Sequence, residues 1–147
     1  MASSSGPLKL LAEDVEDLRV ISAALQDAVT KVGDIRFEAG PRRLTVAFNR
    51  FRWEADGSKE RVRTALQVGG VMNVRSRGIR REAKRAVIEL LALEFAPGEP
   101  PGGVVLFEFA GGADLKVEVE CIDLVLADVS DPWPARSAPR HEDKAEA

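Results

Sequence analysis

VVLFEFAGGADLKVEVECIDLVLADV, residues Val104 to Val129, is the stretch whose reading decides the fold. It reads as an outgoing strand, a turn at Gly111-Gly112 and a long return strand. In the return strand Leu115, Val117, Val119 and Cys121 alternate with Lys116, Glu118 and Glu120, the period of two of a half-buried strand. After Cys121 the phase flips, and Ile122, Leu124 and Leu126 become the apolar set. A β-bulge or sharp bend produces such a slip, because each added residue moves every later side chain to the other face. The outgoing strand sets Val104, Leu106 and Glu108 on one side and Val105, Phe107 and Phe109 on the other. Burying six or seven such side chains contributes roughly 1.5–3 kcal/mol each before chain entropy is counted. The hairpin is therefore expected to be core, with Cys121 a buried, inert thiol.

Outward from this hairpin, the 147 residues suit one domain. Residues 1–7 are expected to be a disordered tail, 8–133 the globular domain and 134–147 a charged tail. With no Tyr and 5% aromatics, the core must be built from Leu, Val, Ile, Ala and Phe. No apolar run approaches the roughly 20 residues of a membrane helix, and the N-terminus has neither the charge nor the apolar stretch of a signal peptide. A single Cys cannot form an internal disulfide, which fits a reducing cytoplasm.

A short strand at Leu8–Leu11 precedes a helix expected from about Asp14 to Asp27. Val15, Leu18, Ile21 and Leu25 recur at intervals of three and four along one helical face. Asp14 is the expected cap, and the neighbouring acids suit the positive end of the helix dipole. Val29 to Glu38 reads as strand with a break at Gly33-Asp34, and Ala39-Gly40-Pro41 as a turn. Arg43 to Trp53 is a long strand with Leu44, Val46 and Phe48 on one face and Phe51 and Trp53 on the other. That pattern predicts a second bulge, between Asn49 and Arg50. Ala55–Ser58 is a loop. Over Arg61 to Arg77, a hairpin at Gly69-Gly70 would set Leu66 opposite Asn73, whereas a bent continuous strand keeps apolar and polar faces apart. Arg80 to Leu90 is ambiguous between helix and strand, and Val87 to Phe95 is read as strand. Pro97 to Gly103 is a loop. Asp131-Pro132-Trp133-Pro134 breaks regular structure, with Trp133 an apolar plug.

The net charge of -3 hides a segregation. Residues 42–85 hold 13 basic and 4 acidic side chains, and residues 86–147 hold 4 basic and 13 acidic. Two readings follow: an anionic partner, or basic and acidic strands lying side by side and pairing across the sheet. The second is preferred. Arg50 and Arg52, Arg61 and Arg63, and Arg75 and Arg77 each repeat at a spacing of two, so each pair projects from one side of its strand. Aligned, and with Phe51 and Trp53 close by, they would form a platform for single-stranded nucleic acid or phosphate.

Motifs that carry catalysis are missing. The one His, His141, lies in the charged tail, which removes His-based triads and metal sites. Glu118 and Glu120 share one strand face about 7 Å apart, where a solvated face is the simpler reading than an acid–base pair. Gly102-Gly103 and Gly111-Gly112 suit turns rather than a phosphate loop. No catalytic residue, metal or cofactor is indicated.

LKLLAEDVEDLRVISAALQDAV at the helix, NRFRWE at Asn49–Glu54, VRSRGI at Val74–Ile79 and FAGGADLKVEVECI at Phe109–Ile122 together resemble a family of small proteobacterial proteins known only as a domain of unknown function. The resemblance spans Leu8 to Trp133, and this chain departs from the family pattern at Gly69-Gly70, where the family carries bulkier polar residues. It implies no reaction, ligand or catalytic residue.

The expected fold is α+β: one amphipathic N-terminal helix packed on a strongly bent, mainly antiparallel sheet of about seven strands, curling toward a partly open barrel. The expected function is a non-catalytic cytoplasmic binding or assembly module, joining a protein partner or a second copy through a strand edge or the Phe51/Trp53 surface. The alternatives are nucleic-acid or phosphate binding through the Arg-rich face, and an enzyme of unknown type.

Overall fold

The computed structural model describes residues 6–54 and 59–135. In chain order its elements are β1 (Lys9–Ala12), α1 (Val15–Ala24), β2 (Val29–Lys31), a 3-10 turn (Val32–Asp34), β3 (Ile35–Glu38), β4 (Arg43–Phe51), β5 (Glu60–Val68), β6 (Val71–Arg77), β7 (Val87–Pro97), β8 (Gly103–Phe109), a second 3-10 turn (Ala110–Gly112), β9 (Asp114–Val119), β10 (Leu124–Asp128) and β11 (Trp133–Pro134). The expected tails, the Ala55–Ser58 loop and His141 fall wholly or largely outside the described residues.

The strands pair antiparallel in the order β1-β10-β5-β4-β2-β7-β8-β9-β6, with β3 added to β4 and β11 to β5. One helix on a mainly antiparallel sheet is the expected class. Among the described residues the strands number eleven rather than about seven, and the sheet is open, with β1 and β6 at its ends, rather than closing into a barrel. The count rises because stretches read as single strands are cut by corners. The break expected at Gly33-Asp34 forms as the Val32–Asp34 turn and separates β2 from β3, Arg61–Arg77 divides into β5 and β6, and the return arm of the hairpin becomes β9 and β10.

Those corners meet. Gly69 donates its N–H to Asp123 O at 2.9 Å, and Glu120 donates to Gly70 O at 3.0 Å. The break after β5 thus lies against the break before β10. Gly70 has φ +62, a conformation that disfavours a Cβ, and a Cβ on Gly69 would sit 2.6 Å from the Asp123 carboxylate. β5 and β6 do not pair with each other: β5 lies between β10 and β4, while β6 pairs with β9. No hairpin forms over Arg61–Arg77, as its parity implied, but the corner divides the stretch into two strands rather than leaving one continuous bent strand. The phase flip after Cys121 is the second half of the same corner. It also corrects the expectation for Cys121: β9 ends at Val119, so the thiol leaves the apolar row and is exposed.

Two rows of side chains make the core. In one half Leu44, Val46 and Phe48 of β4 register with Val68, Leu66 and Thr64 of β5, and these with Leu124, Leu126 and Asp128 of β10. In the other half Val105 and Phe107 of β8 register with Val117 and Leu115 of β9. Leu18 and Ile21 of α1, with Leu25 just beyond its end, complete the cluster. Asp14 caps α1 as expected, its carboxylate accepting from Asp17 N at 2.8 Å. The helix ends at Ala24, short of the expected Asp27, which has left-handed φ 63.

Further departures from the sequence reading have local causes. No slip occurs between Asn49 and Arg50, because Arg50 continues the buried row of Leu44, Val46 and Phe48. Register shifts fall instead at Val71/Asn73 and Leu90/Ala92. Arg80–Ala86 forms turns closed by Ala83 N to Arg80 O and Ala86 N to Ala83 O, both 3.0 Å, and β7 follows as strand. Trp133 joins a short strand against Arg61 and is 36% exposed rather than a plug. Among the described residues, no helix is long and apolar enough to cross a membrane.

Candidate anion-binding site

The six arginines expected to share one face divide into three pairs with three different environments. The first pair is interior. Arg50 is fully buried, and each of its five N–H groups has an acceptor. Nε and Nη2 donate to the two oxygens of Asp128 at 3.0 and 2.9 Å. Nη1 and Nη2 donate to the two oxygens of Glu54 at 2.9 and 2.7 Å, and Nη1 also reaches Phe51 O at 3.4 Å. Burial alone would lower the pKa of this guanidinium. The hydrogen bonds and charges of Glu54 and Asp128 outweigh it, so the pKa is raised. Arg52 is 3% exposed, and its Nη1 contacts the Glu60 carboxylate. Phe51 is also buried, under Trp53, whose ring lies edge-on at 4.7 Å and whose Nε1 donates to Gln26 O at 3.3 Å.

The second pair, Arg75 and Arg77, stands on the end strand β6. Arg77 Nη2 donates to Asp114 Oδ2 at 2.8 Å, and Arg75 is opposite Lys116. Basic and acidic segments do neutralise each other at Arg77–Asp114, Arg50–Asp128 and Arg42–Glu120. Elsewhere on the β6–β9 pair the charges do not match: Lys116 faces Arg75, and Glu118 faces Asn73.

The third pair, Arg61 and Arg63, lies on the face of β5 opposite the buried Val62, Thr64 and Leu66. Both converge on Asn49 of β4. Arg63 Nη1 donates to Asn49 Oδ1 at 3.2 Å and Nη2 to Asp34 Oδ2 at 3.1 Å, while Arg61 Nη1 donates to Asn49 O at 3.3 Å. Beside them is a cleft of about 400 Å³ lined by Val29, Thr30, Lys31, Asp34, Asn49, Arg63 and Val87. It arises because β2 meets β4 only at Val29–Asn49 before the chain leaves through the Val32–Asp34 turn. The Thr30 hydroxyl holds that departure in place by donating to Ala47 O at 2.7 Å.

The electrostatics of this cleft differ from those of the Arg50 cluster. Lys31 and Arg63 are set against one carboxylate, Asp34, with Arg61 adjoining. Burial lowers the pKa of Arg61, and the charges of Asp27 and Glu89 offset this only in part. Arg61 donates to a backbone carbonyl, and an anion placed beside this desolvated guanidinium would be favoured. A second hollow of about 450 Å³ includes Glu99, Glu118 and Glu120 in its lining and has the opposite sign.

Thr30, Lys31, Asp34 and Asn49 were not singled out from the sequence. One signal was available at Asn49, a polar residue in an otherwise apolar strand segment beside Phe48. Asp128 carried another: it falls in phase with Leu124 and Leu126 on the buried row, where a carboxylate needs a buried partner.

The family model described as "Protein of unknown function (DUF2948)" matches residues 8–141. The chain belongs to this family. No curated protein and no solved structure shows a significant match to this DUF2948 chain. The match spans the whole sheet and the cleft, and the family description adds no activity to them.

Proposed function

We propose that this DUF2948 protein is a non-catalytic binding module that takes an anionic group, a phosphate or a similar oxyanion, in the cleft beside Arg63. The observation that carries this reading is the convergence of Arg61 and Arg63 on Asn49 beside a polar cleft whose lining sets Lys31 and Arg63 against one carboxylate, Asp34. Binding rather than turnover is favoured because the polar groups lining the cleft are already committed. The Thr30 hydroxyl donates to a carbonyl and Asp34 holds Arg63, so neither is poised as nucleophile or base. Of the arginines expected from the sequence, Arg61 and Arg63 carry the proposal; Arg50 and Arg52 serve the core. Self-association through Phe51 and Trp53 has less support, since Phe51 is 5% exposed and the Trp53 indole N–H is engaged.

Calorimetric titration with inorganic phosphate at low ionic strength tests this. Binding is expected to weaken as salt is added. Loss of a charge-assisted hydrogen bond in Arg63→Ala should reduce affinity about tenfold or more, while Arg77→Ala leaves it unchanged. No heat with the unaltered protein, or equal affinity in Arg63→Ala, would remove the proposal.

A further inference from the structure

We infer that the ligand of this cleft is single-stranded nucleic acid, whose phosphates run from Arg61 past Arg63 to Lys84 while a base stacks on Trp133. This rests on the anion-binding reading above and extends it from one phosphate to a chain of them.

Three observations place the contacts on one continuous surface. The turn-rich segment after β6 carries Arg80, Arg81, Lys84 and Arg85, all exposed, against one carboxylate, Glu82. It is tied to the cleft by backbone: Gly33 N donates to Lys84 O and Val32 N to Ala86 O, each at 2.9 Å. Lys84 also approaches so closely that a Cβ on Gly33 would lie 3.1 Å from it. Val87, next in the chain, pairs with Lys31, and both line the cleft. At the other end Trp133 of β11 stands directly opposite Arg61 and is 36% exposed, and directly opposed residues share a sheet face.

From β5 through β4 and β2 to β7 is three inter-strand steps, about 14 Å. A single phosphate bound at Arg63 would leave Lys84 and Arg85 unused, whereas repeating phosphates would engage both ends. An aromatic side chain beside the cations suits a base that is free to unstack, which a duplex does not offer. Asp27, Asp34 and Glu89 lie near the same arginines, so the interaction is expected to be modest in strength and steeply salt-dependent.

Fluorescence anisotropy of a labelled single-stranded oligonucleotide with the full chain decides this, with phosphate calorimetry as the parallel arm. The logarithm of affinity should fall linearly with the logarithm of salt, with a slope of about 0.7 per phosphate neutralised. Lys84→Glu with Arg85→Glu should weaken oligonucleotide binding about tenfold or more and reduce that slope by about 1–2, leaving the affinity for inorganic phosphate at Arg63 unchanged. Trp133→Ala should lose about tenfold for the oligonucleotide and Trp133→Phe should restore most of it, with neither affecting a heparin fragment. Oligonucleotide binding indifferent to the Lys84/Arg85 change, or Trp133→Ala equal to the unaltered protein, overturns the inference and leaves the phosphate reading standing. Absence of both phosphate and oligonucleotide binding ends both.

Discussion

Arg50 and Asp128, 78 residues apart in sequence, meet through two parallel hydrogen bonds of 3.0 and 2.9 Å, with the arginine fully buried and the aspartate side chain 2% exposed. Asp128 also accepts from Leu8 N at 2.8 Å, so one carboxylate joins β4, β10 and the start of β1. Removing it leaves a buried cation short of a partner. Asp128→Ala is therefore expected to destabilise the protein by about 3–5 kcal/mol in urea unfolding. Glu54→Ala should cost less, since that side chain is 29% exposed and water can replace it. Arg50→Met combined with Asp128→Leu should recover much of the loss, because the fully buried cation is then gone and the half-buried Glu54 keeps access to water and to Arg52. A double variant no more stable than Asp128→Ala would show the cost lies in the β1 attachment instead.

Glu54 gives the cluster a pH dependence of definite sign. Burial pushes its pKa up, but hydrogen bonds from Arg50 and from backbone, with the charges of Arg50 and Arg52, hold it below the ordinary value of 4.5. A carboxylate whose folded pKa is depressed stabilises the fold above its unfolded pKa, and that stability is lost as pH falls through the folded value. The contribution of Glu54 to the unfolding midpoint is expected to be full and independent of pH near neutrality and to decline on the acid side of 4.5. Glu54→Gln should have a shallower acid decline than the unaltered protein. An identical decline would mean Glu54 is not linked to folding.

Thr64 registers with Asp128 on one side and Phe48 on the other, and among the described residues its buried hydroxyl has no hydrogen-bond partner. An unsatisfied buried hydroxyl costs about 1–3 kcal/mol, and Val has nearly the same shape. Thr64→Val is expected to stabilise by about 1 kcal/mol, raising the melting temperature by about 2–4 °C for a chain of this size. A destabilised variant would indicate that the hydroxyl is satisfied after all.

Arg61 is expected to show the opposing demands of stability and binding. Its cation is desolvated and donates to the Asn49 carbonyl, so folding gains little from it. Arg61→Met should leave the melting temperature unchanged or raise it, while weakening phosphate binding in calorimetry. Lower stability together with unchanged binding would assign Arg61 to the scaffold.

Much of the fold was legible because it follows from local parity. The Gly111-Gly112 turn, the alternation of Leu115, Val117 and Val119, the helix face of Leu18 and Ile21 with its Asp14 cap, and the corner at Gly69-Gly70 all depend on residues within a few positions of one another. Cys121 was misread for the complementary reason: it continues the local period, and only the non-local contact of Glu120 with Gly70 turns the chain away there.

The arginines show where sequence stopped and tertiary structure took over. Arg52 lies just past the end of β4, outside its periodicity, but spacing by two determined that Arg61 and Arg63, and Arg75 and Arg77, would each point to one side of a strand. It did not determine which side was the interior. For Arg50 that depended on Asp128 arriving from β10 to join the nearby Glu54 and Phe51 O around its five donors; for Arg61 and Arg63, on a three-residue strand whose first residue, Val29, pairs with Asn49. A charge reads as a surface residue until its partner is known, because burial is tolerated only when long-range pairing supplies the opposite charge and the hydrogen bonds.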